Sequence, residues 1–122
     1  VVPAPAPVPG LREPAKHIAA GGRHSAVVAG TGAVLLAGSN ACGQLGHPRA
    51  QLLQSHHFIG LPPGRELSAR TAALGGEHTL VLTHGGDLLA FGRNTDGQCG
   101  VGPAAAAFVE APVRVPLPAV PG

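Results

Sequence analysis

Two histidines each stand beside a hydroxyl, as His24-Ser25 and His78-Thr79. An imidazole within hydrogen-bond reach of a hydroxyl can activate it as a nucleophile. Adjacent residues of a strand point to opposite faces, however, so neither pair can form a dyad within itself. His24 and His78 are therefore expected to be structural and mostly buried, each held by a backbone hydrogen bond, because a buried polar group needs a partner. His47 and the pair His56-His57 raise metal binding. Adjacent histidines on a strand diverge, and no carboxylate or cysteine sits at ligand spacing, so no metal site is expected. The glycine clusters lack the Lys-Ser/Thr of a phosphate loop, and none fits G-x-G-x-x-G between a strand and a helix. The sequence thus assigns no catalytic, cofactor-binding or metal-ligating residue, and an enzyme with covalent chemistry ranks last because no nucleophile, base and orienter assemble. Neither Asn40-Ala41-Cys42 nor Asn94-Thr95-Asp96 is a glycosylation sequon. Cys42 and Cys99 read as free thiols, which places the chain in a reducing intracellular compartment, cytoplasm or nucleus.

What must position these residues is a repeat. Gly22, His24, Gly32, Gly38, Asn40, Gly43, Gln44 and Gly46 recur without a gap as Gly76, His78, Gly86, Gly92, Asn94, Gly97, Gln98 and Gly100, at an offset of 54 residues. A period of this length marks a repeat architecture. Within each unit short apolar runs alternate with glycine turns. Strands are predicted over 17–20, 24–29, 33–37 and 56–61, and again over 70–74, 78–83, 87–91 and 112–117. Gly30-Thr31-Gly32 and Gly85-Gly86 make the hairpins. Asn40 and Asn94 suit loop positions, where Asn tolerates left-handed geometry or bonds its own backbone, and Gln44 and Gln98 tie the same loops down. An Ala-rich insertion over 103–110 allows one helical turn. Pro in the last apolar segment of each unit marks an edge strand. The runs Ala26-Val27-Val28-Ala29 and Leu88-Leu89-Ala90-Phe91 do not alternate, which predicts that both faces of the middle strands are covered, as in the stacked four-stranded blades of a β-propeller.

Bulk properties exclude several classes. A net charge of +2 with scattered Arg is no nucleic-acid footprint, and 2% aromatic residues offer no stacking platform for bases. No apolar run reaches the length of a membrane helix. Thirteen Pro and 19 Gly argue for short elements and many turns. The opening Val1-Val2-Pro3-Ala4-Pro5 lacks a basic region and is no signal peptide, and the missing initiator Met suggests that the sequence starts inside a longer protein.

The motifs Gly21-Gly22-Arg23-His24-Ser25, Gly38-Ser39-Asn40 and Gly43-Gln44-Leu45-Gly46 resemble the repeat of the regulator-of-chromosome-condensation (RCC1) family. Gly75-Gly76-Glu77-His78-Thr79, Phe91-Gly92-Arg93-Asn94 and Gly97-Gln98-Cys99-Gly100 resemble it again. The resemblance covers roughly residues 17 to 118. It implies an all-β fold: two four-stranded antiparallel blades of an RCC1-type, seven-bladed β-propeller, whose remaining blades lie outside this chain. The expected organisation is a Pro-rich linker and tail strand of a preceding blade (1–16), a first blade (17–61), a linker (62–69), a second blade (70–118) and a tail (119–122). The family usually has Trp where Ala37 and Phe91 stand, and Leu where Cys99 stands; Ala37 is expected to thin the core of the first blade. WD40 and kelch repeats fit worse, since the chain has neither Trp nor Tyr.

Function in a propeller lives at loop tips. Arg23 and Glu77 occupy the variable position before each His and are the candidate partner-binding residues. The resemblance implies two functions: a non-catalytic platform for other proteins, or an exchange factor that displaces nucleotide from a small GTPase such as Ran, for which an acidic residue like Glu77 is in character. With only one interface between two blades, the chain alone is expected to be marginally stable and to associate through its open blade faces.

Overall fold

A computed structural model describes residues 14–62, 67–101 and 106–116. They form eight strands: β1 (Ala15–Ala20), β2 (His24–Ala29), β3 (Val34–Ser39), β4 (Gln54–Ile59), β5 (Ala69–Leu74), β6 (His78–Thr83), β7 (Leu88–Arg93) and β8 (Phe108–Arg114). Two four-stranded antiparallel sheets result, ordered β1-β2-β3-β4 and β5-β6-β7-β8. The first three strands of the two sheets coincide at the 54-residue offset, and no helix lies between Ala19 and Gly46.

The same local chemistry builds both hairpins. Gly32 N–H donates to the Ala29 carbonyl at 2.9 Å, and Gly86 N–H to that of Thr83 at 3.1 Å. Gly38 and Gly92 were expected to end the third strand of each unit. Instead β3 and β7 continue one residue past them, and each glycine sits at a register shift against the outer strand. Both take a positive φ, 114° and 111°, and a Cβ on Gly38 would lie 2.5 Å from the Arg23 carbonyl oxygen. Only glycine fits where two strands cross this closely.

Other boundaries shift as well. β4 begins at Gln54, earlier than the histidine pair suggested, and β8 begins at Phe108. The helical turn expected over 103–110 is corrected in part: 108–110 are strand, because pairing with β7 satisfies their backbone, while 102–105 lie outside the described residues. Pro112 falls in the irregular stretch of β8 between the Val109 and Val113 pairings, on an edge strand, where its missing N–H removes no ladder bond.

The register assigns the faces. Ala26 pairs with Leu36 and Val28 with Val34, so these share one face of the first sheet. Thr79 pairs with Phe91 and Val81 with Leu89 on one face of the second. Those two faces meet, and the core between them includes Ala26, Val28, Leu36, Leu45, Val81 and Phe91. Backbone bonds join the sheets directly, from Gly22 N–H to the Gly75 carbonyl (3.2 Å) and from Ala69 N–H to that of Gly32 (2.8 Å).

One expectation is met here and one changes. β2 is buried from Ala26 to Ala29 and β7 from Ala90 to Gly92, on both faces, as expected of these runs, whereas β6 alternates between buried and half-buried. Ala37 does not thin the core between the blades. It pairs with Ser25 on the far face of the first sheet, while its counterpart Phe91, fully buried, fills the core.

Candidate functional site

The polar centre of the molecule lies where the sheets meet. His24 Nε2 lies 2.9 Å from Thr79 Oγ1, and the Thr79 hydroxyl donates to the Gln44 carbonyl at 2.7 Å. The carbonyl can only accept, so it takes the single hydroxyl proton. Thr79 must then accept from His24, which fixes the proton on Nε2 and leaves Nδ1 bare. His24 Nδ1 and Gln44 Nε2 are both buried without a protein hydrogen bond. Burial lowers the His24 pKa below its ordinary 6.5; the charge of His78 acts in the same direction and the His78 backbone opposes it. The imidazole is therefore neutral at pH 7.

This arrangement is a hydroxyl next to a histidine, yet it is not a nucleophile with its base. The imidazole nitrogen facing Thr79 already carries a proton, and the hydroxyl proton is committed to a carbonyl. The expected backbone bond of His24 is thus replaced by one to a side chain of the other sheet. His78 is half-buried rather than mostly buried, with its ring against Gly75.

The loops after β3 and β7 are held by their own amides. Asn40 Nδ2 donates to the carbonyls of His47 and Leu52, both at 2.8 Å, and Asn40 Oδ1 accepts from Leu45 N–H at 2.9 Å. Asn94 repeats this with the Ala106 carbonyl (3.2 Å) and Cys99 N–H (3.1 Å). Gln44 Oε1 accepts from Cys42 N–H, and Gln98 Oε1 from Asp96 N–H. Among the described residues no non-glycine residue has a positive φ, so these asparagines act by hydrogen bonding. Gly43 and Gly46, with Gly97 and Gly100, turn the same loops: Gly43 N–H donates to the Asn40 carbonyl and Gly97 N–H to that of Asn94. Gly22 and Gly76 stack where the sheets approach most closely; a Cβ on Gly22 would lie 3.0 Å from Gly76 Cα.

Arg23 and Glu77 stand at one end of this junction and differ in circumstance. Arg23 is exposed and forms no ion pair among the described residues. Glu77 is engaged on both oxygens: Cys42 Sγ donates to Oε2 at 3.0 Å, and Arg93 Nη1 approaches Oε1 at 3.1 Å. The Cys42 bond, then Arg93, hold the Glu77 carboxyl below its usual range. Burial, followed by the Glu77 carboxylate, pushes the Cys42 thiol up to about 11. Cys42 is therefore a protonated donor and no nucleophile at neutral pH.

The Cys42–Glu77–Arg93 cluster was not foreseen in the sequence, and neither was a second tie across the junction. Arg49 pairs with Glu110 (Nε to Oε2, 3.3 Å) and lies 4.1 Å over the Phe108 ring. Its partners are about 60 residues away, beyond any local spacing rule. The link between His24 and Thr79 did have a signal. If His and hydroxyl point to opposite faces of one blade, the His of one blade must face the hydroxyl of the next. Cys42 and Cys99 are both free and buried. Among the described residues no group of three or more His, Cys, Asp or Glu could hold a metal, and no helix is long and apolar enough to cross a membrane.

Comparison with known proteins agrees with this geometry. The family model described as "Regulator of chromosome condensation (RCC1) repeat" matches residues 15–44 and 70–98. The human X-linked retinitis pigmentosa GTPase regulator is 39% identical over 87 residues, which is 70% of this chain and 8% of that protein. The bovine secretion-regulating guanine nucleotide exchange factor is 36% identical over 89 residues, 70% of this chain and 18% of that protein. The chain thus spans less than a fifth of these relatives. Among solved structures, yeast RCC1 (Prp20), crystallised with Kap60, superposes with a TM-score of 0.77 at 19% identity, covering 87% of this chain and 25% of that one. Human WBSCR16 gives 0.73 at 19%, covering 87% and 26%. The two sheets are two blades of the RCC1 propeller type, and this chain carries two repeats of the regulator of chromosome condensation (RCC1) family.

Proposed function

We propose that this pair of blades is a non-catalytic platform for binding other proteins, in an intracellular compartment suited to its two free thiols. One observation carries the reading. The polar signature side chains that could do chemistry are directed inward: His24 to Thr79, Asn40 and Asn94 to loop backbone, Glu77 to Cys42 and Arg93. A site whose donors and acceptors close on one another positions a scaffold. Variation is left to exposed loop positions such as Arg23.

Nucleotide exchange on a small GTPase such as Ran is the second reading. It draws on the names of the relatives, a GTPase regulator and a guanine nucleotide exchange factor. Against it, the acidic residue suited to that task, Glu77, has both oxygens occupied. Release of fluorescent GDP from loaded small GTPases, Ran among them, separates the two. The platform reading expects the release rate to stay within about twofold of the spontaneous rate at saturating chain. Acceleration by about tenfold or more, equivalent to about 1.4 kcal/mol of barrier, and its loss in Glu77→Ala, would overturn that reading in favour of exchange.

A further inference from the structure

The two sheets converge along one edge. β5 packs directly against β1 and β2. Toward the outer strands the loop after β3 fills the gap instead, with Leu45 fully buried in the core and Gly43 against the Val109 carbonyl of β8. The free edges of β1 and β5 therefore border the central channel of the propeller. Both strands carry the same irregularity. β1 pairs with β2 at Ala15 and next at His17, and β5 pairs with β6 at Ala69 and next at Thr71, so each strand has one extra residue at a register shift. That residue is Lys16 in the first blade and Arg70 in the second, equivalent at the 54-residue offset. A bulge of this kind re-aims the side chain it carries, and such bulges are over-represented beside functional sites. Positive charge is what the two copies share at this position.

Both side chains are exposed, and the two copies together show that neighbouring blades leave them so. Lys16 is exposed with the following blade in place, and Arg70 with the preceding blade in place. Neither forms an ion pair among the described residues. The carboxylate of the β6–β7 hairpin at this end, Asp87, is already held by Arg114 Nη2 at 2.7 Å. A cation repeated from blade to blade, set on a bulge and without a carboxylate partner, has an anion as its complement. We infer that Lys16 and Arg70 take an acidic segment of a partner protein at the mouth of the channel. This deepens the platform reading, on which it rests. It puts the binding surface on the channel side, at the opposite end of the strands from Arg23 and Glu77. A polynucleotide is the less suited anion, because its affinity comes from many phosphate contacts and these are two cations.

Fluorescence anisotropy of a fluorescein-labelled oligoglutamate, titrated with the 122-residue chain, is the test. Each variant is first checked for native circular dichroism; both positions are exposed, so neither change disturbs the core. The expected Kd is about 100 μM or tighter. Lys16→Ala and Arg70→Ala each weaken binding by up to about fivefold, the range of one exposed ion pair, and the double variant weakens it by about tenfold or more. Lys16→Arg keeps the charge and stays within about twofold of wild type. Arg23→Ala removes an equal charge at the far end of the strands, beyond the Debye length of about 8 Å, and also stays within about twofold. A Kd above about 1 mM, or a double variant that binds like wild type, would overturn the inference. So would equal weakening by Arg23→Ala, or an oligothymidylate bound as tightly as the oligoglutamate, since either shows attraction to overall charge. The platform reading is judged separately by nucleotide release, so failure here leaves it standing.

Discussion

Thr79→Val tests the polar junction most directly. Valine has nearly the shape of threonine, so packing is preserved and only the hydroxyl is lost. Two groups then lose their partners: the Nε2–H of His24, 4% exposed, and the Gln44 carbonyl, on a residue 0% exposed. Water cannot replace the hydroxyl at either. A buried group left unsatisfied costs about 1–3 kcal/mol. Two such groups, with some relaxation, give a destabilisation of about 2–4 kcal/mol, a large part of the roughly 5–15 kcal/mol that holds an ordinary domain. For about 100 ordered residues that lowers Tm by about 10–20 °C. Far-UV circular dichroism in urea is the suitable assay, since the chain has neither Trp nor Tyr to report by fluorescence. Thr79→Ser keeps the hydroxyl and loses one methyl, and should cost about 1 kcal/mol. If Thr79→Val lies within about 0.5 kcal/mol of wild type, the range of an ordinary surface change, at an unchanged m-value, the hydroxyl is not a linchpin of the junction and the reasoning fails.

Stability should also fall with acid through His24. Its folded pKa is depressed by burial, so its contribution is complete above the unfolded value of about 6.5 and is lost as pH falls through the folded pKa. The slope from one such group reaches about 1.4 kcal/mol per pH unit at most, and urea melts of His24→Gln between pH 7 and 5 should show a shallower dependence than wild type. Gly38→Ala should destabilise more than Gly86→Ala in thermal melts. Both residues have positive φ, which alone costs about 1–2 kcal/mol, but a Cβ on Gly38 also meets backbone while one on Gly86 meets nothing within 4 Å. Cys42 should resist alkylation at pH 8 in the native state, and Glu77→Gln should lower its pKa only partway from about 11, because burial is the larger cause; a fall to the free-thiol value of about 8.5 would show that the carboxylate dominates.

The fold was legible because repetition converts weak local signals into a strong one. A glycine turn between apolar runs is ambiguous once, but at a constant offset it places strands and hairpins together. What stayed hidden falls into two kinds. Strand ends moved where backbone pairing extends past a glycine, as at Gly38 and Gly92, since a positive-φ residue can bend a strand without ending it. The bonds that join the sheets were missed because they link residues tens of positions apart. Cys42 with Glu77 and Arg49 with Glu110 have no pattern in the sequence, for each lies outside the repeated positions on at least one side. The bond from His24 to Thr79 was derivable, and the step not taken was to ask which side chain of the following unit an inward-facing imidazole must meet.

That bond has a consequence for how such a chain can change in length. Each 54-residue unit carries an imidazole on one side and a hydroxyl on the other, so a junction is never encoded within a single unit. Inserting or deleting one whole unit joins an imidazole to a hydroxyl again, and the new junction inherits its hydrogen bond without any compensating substitution. Removing the half of a unit that carries its His and hydroxyl, as β6 carries His78 and Thr79, strands His24 of the preceding unit in the interior. Growth and loss by complete units are thus nearly neutral for the polar core, whereas loss of only the strand that carries the His and hydroxyl leaves an orphaned buried group. The bond between His24 and Thr79 thus makes the polar core a property of neighbouring repeats, renewed each time a whole repeat is added.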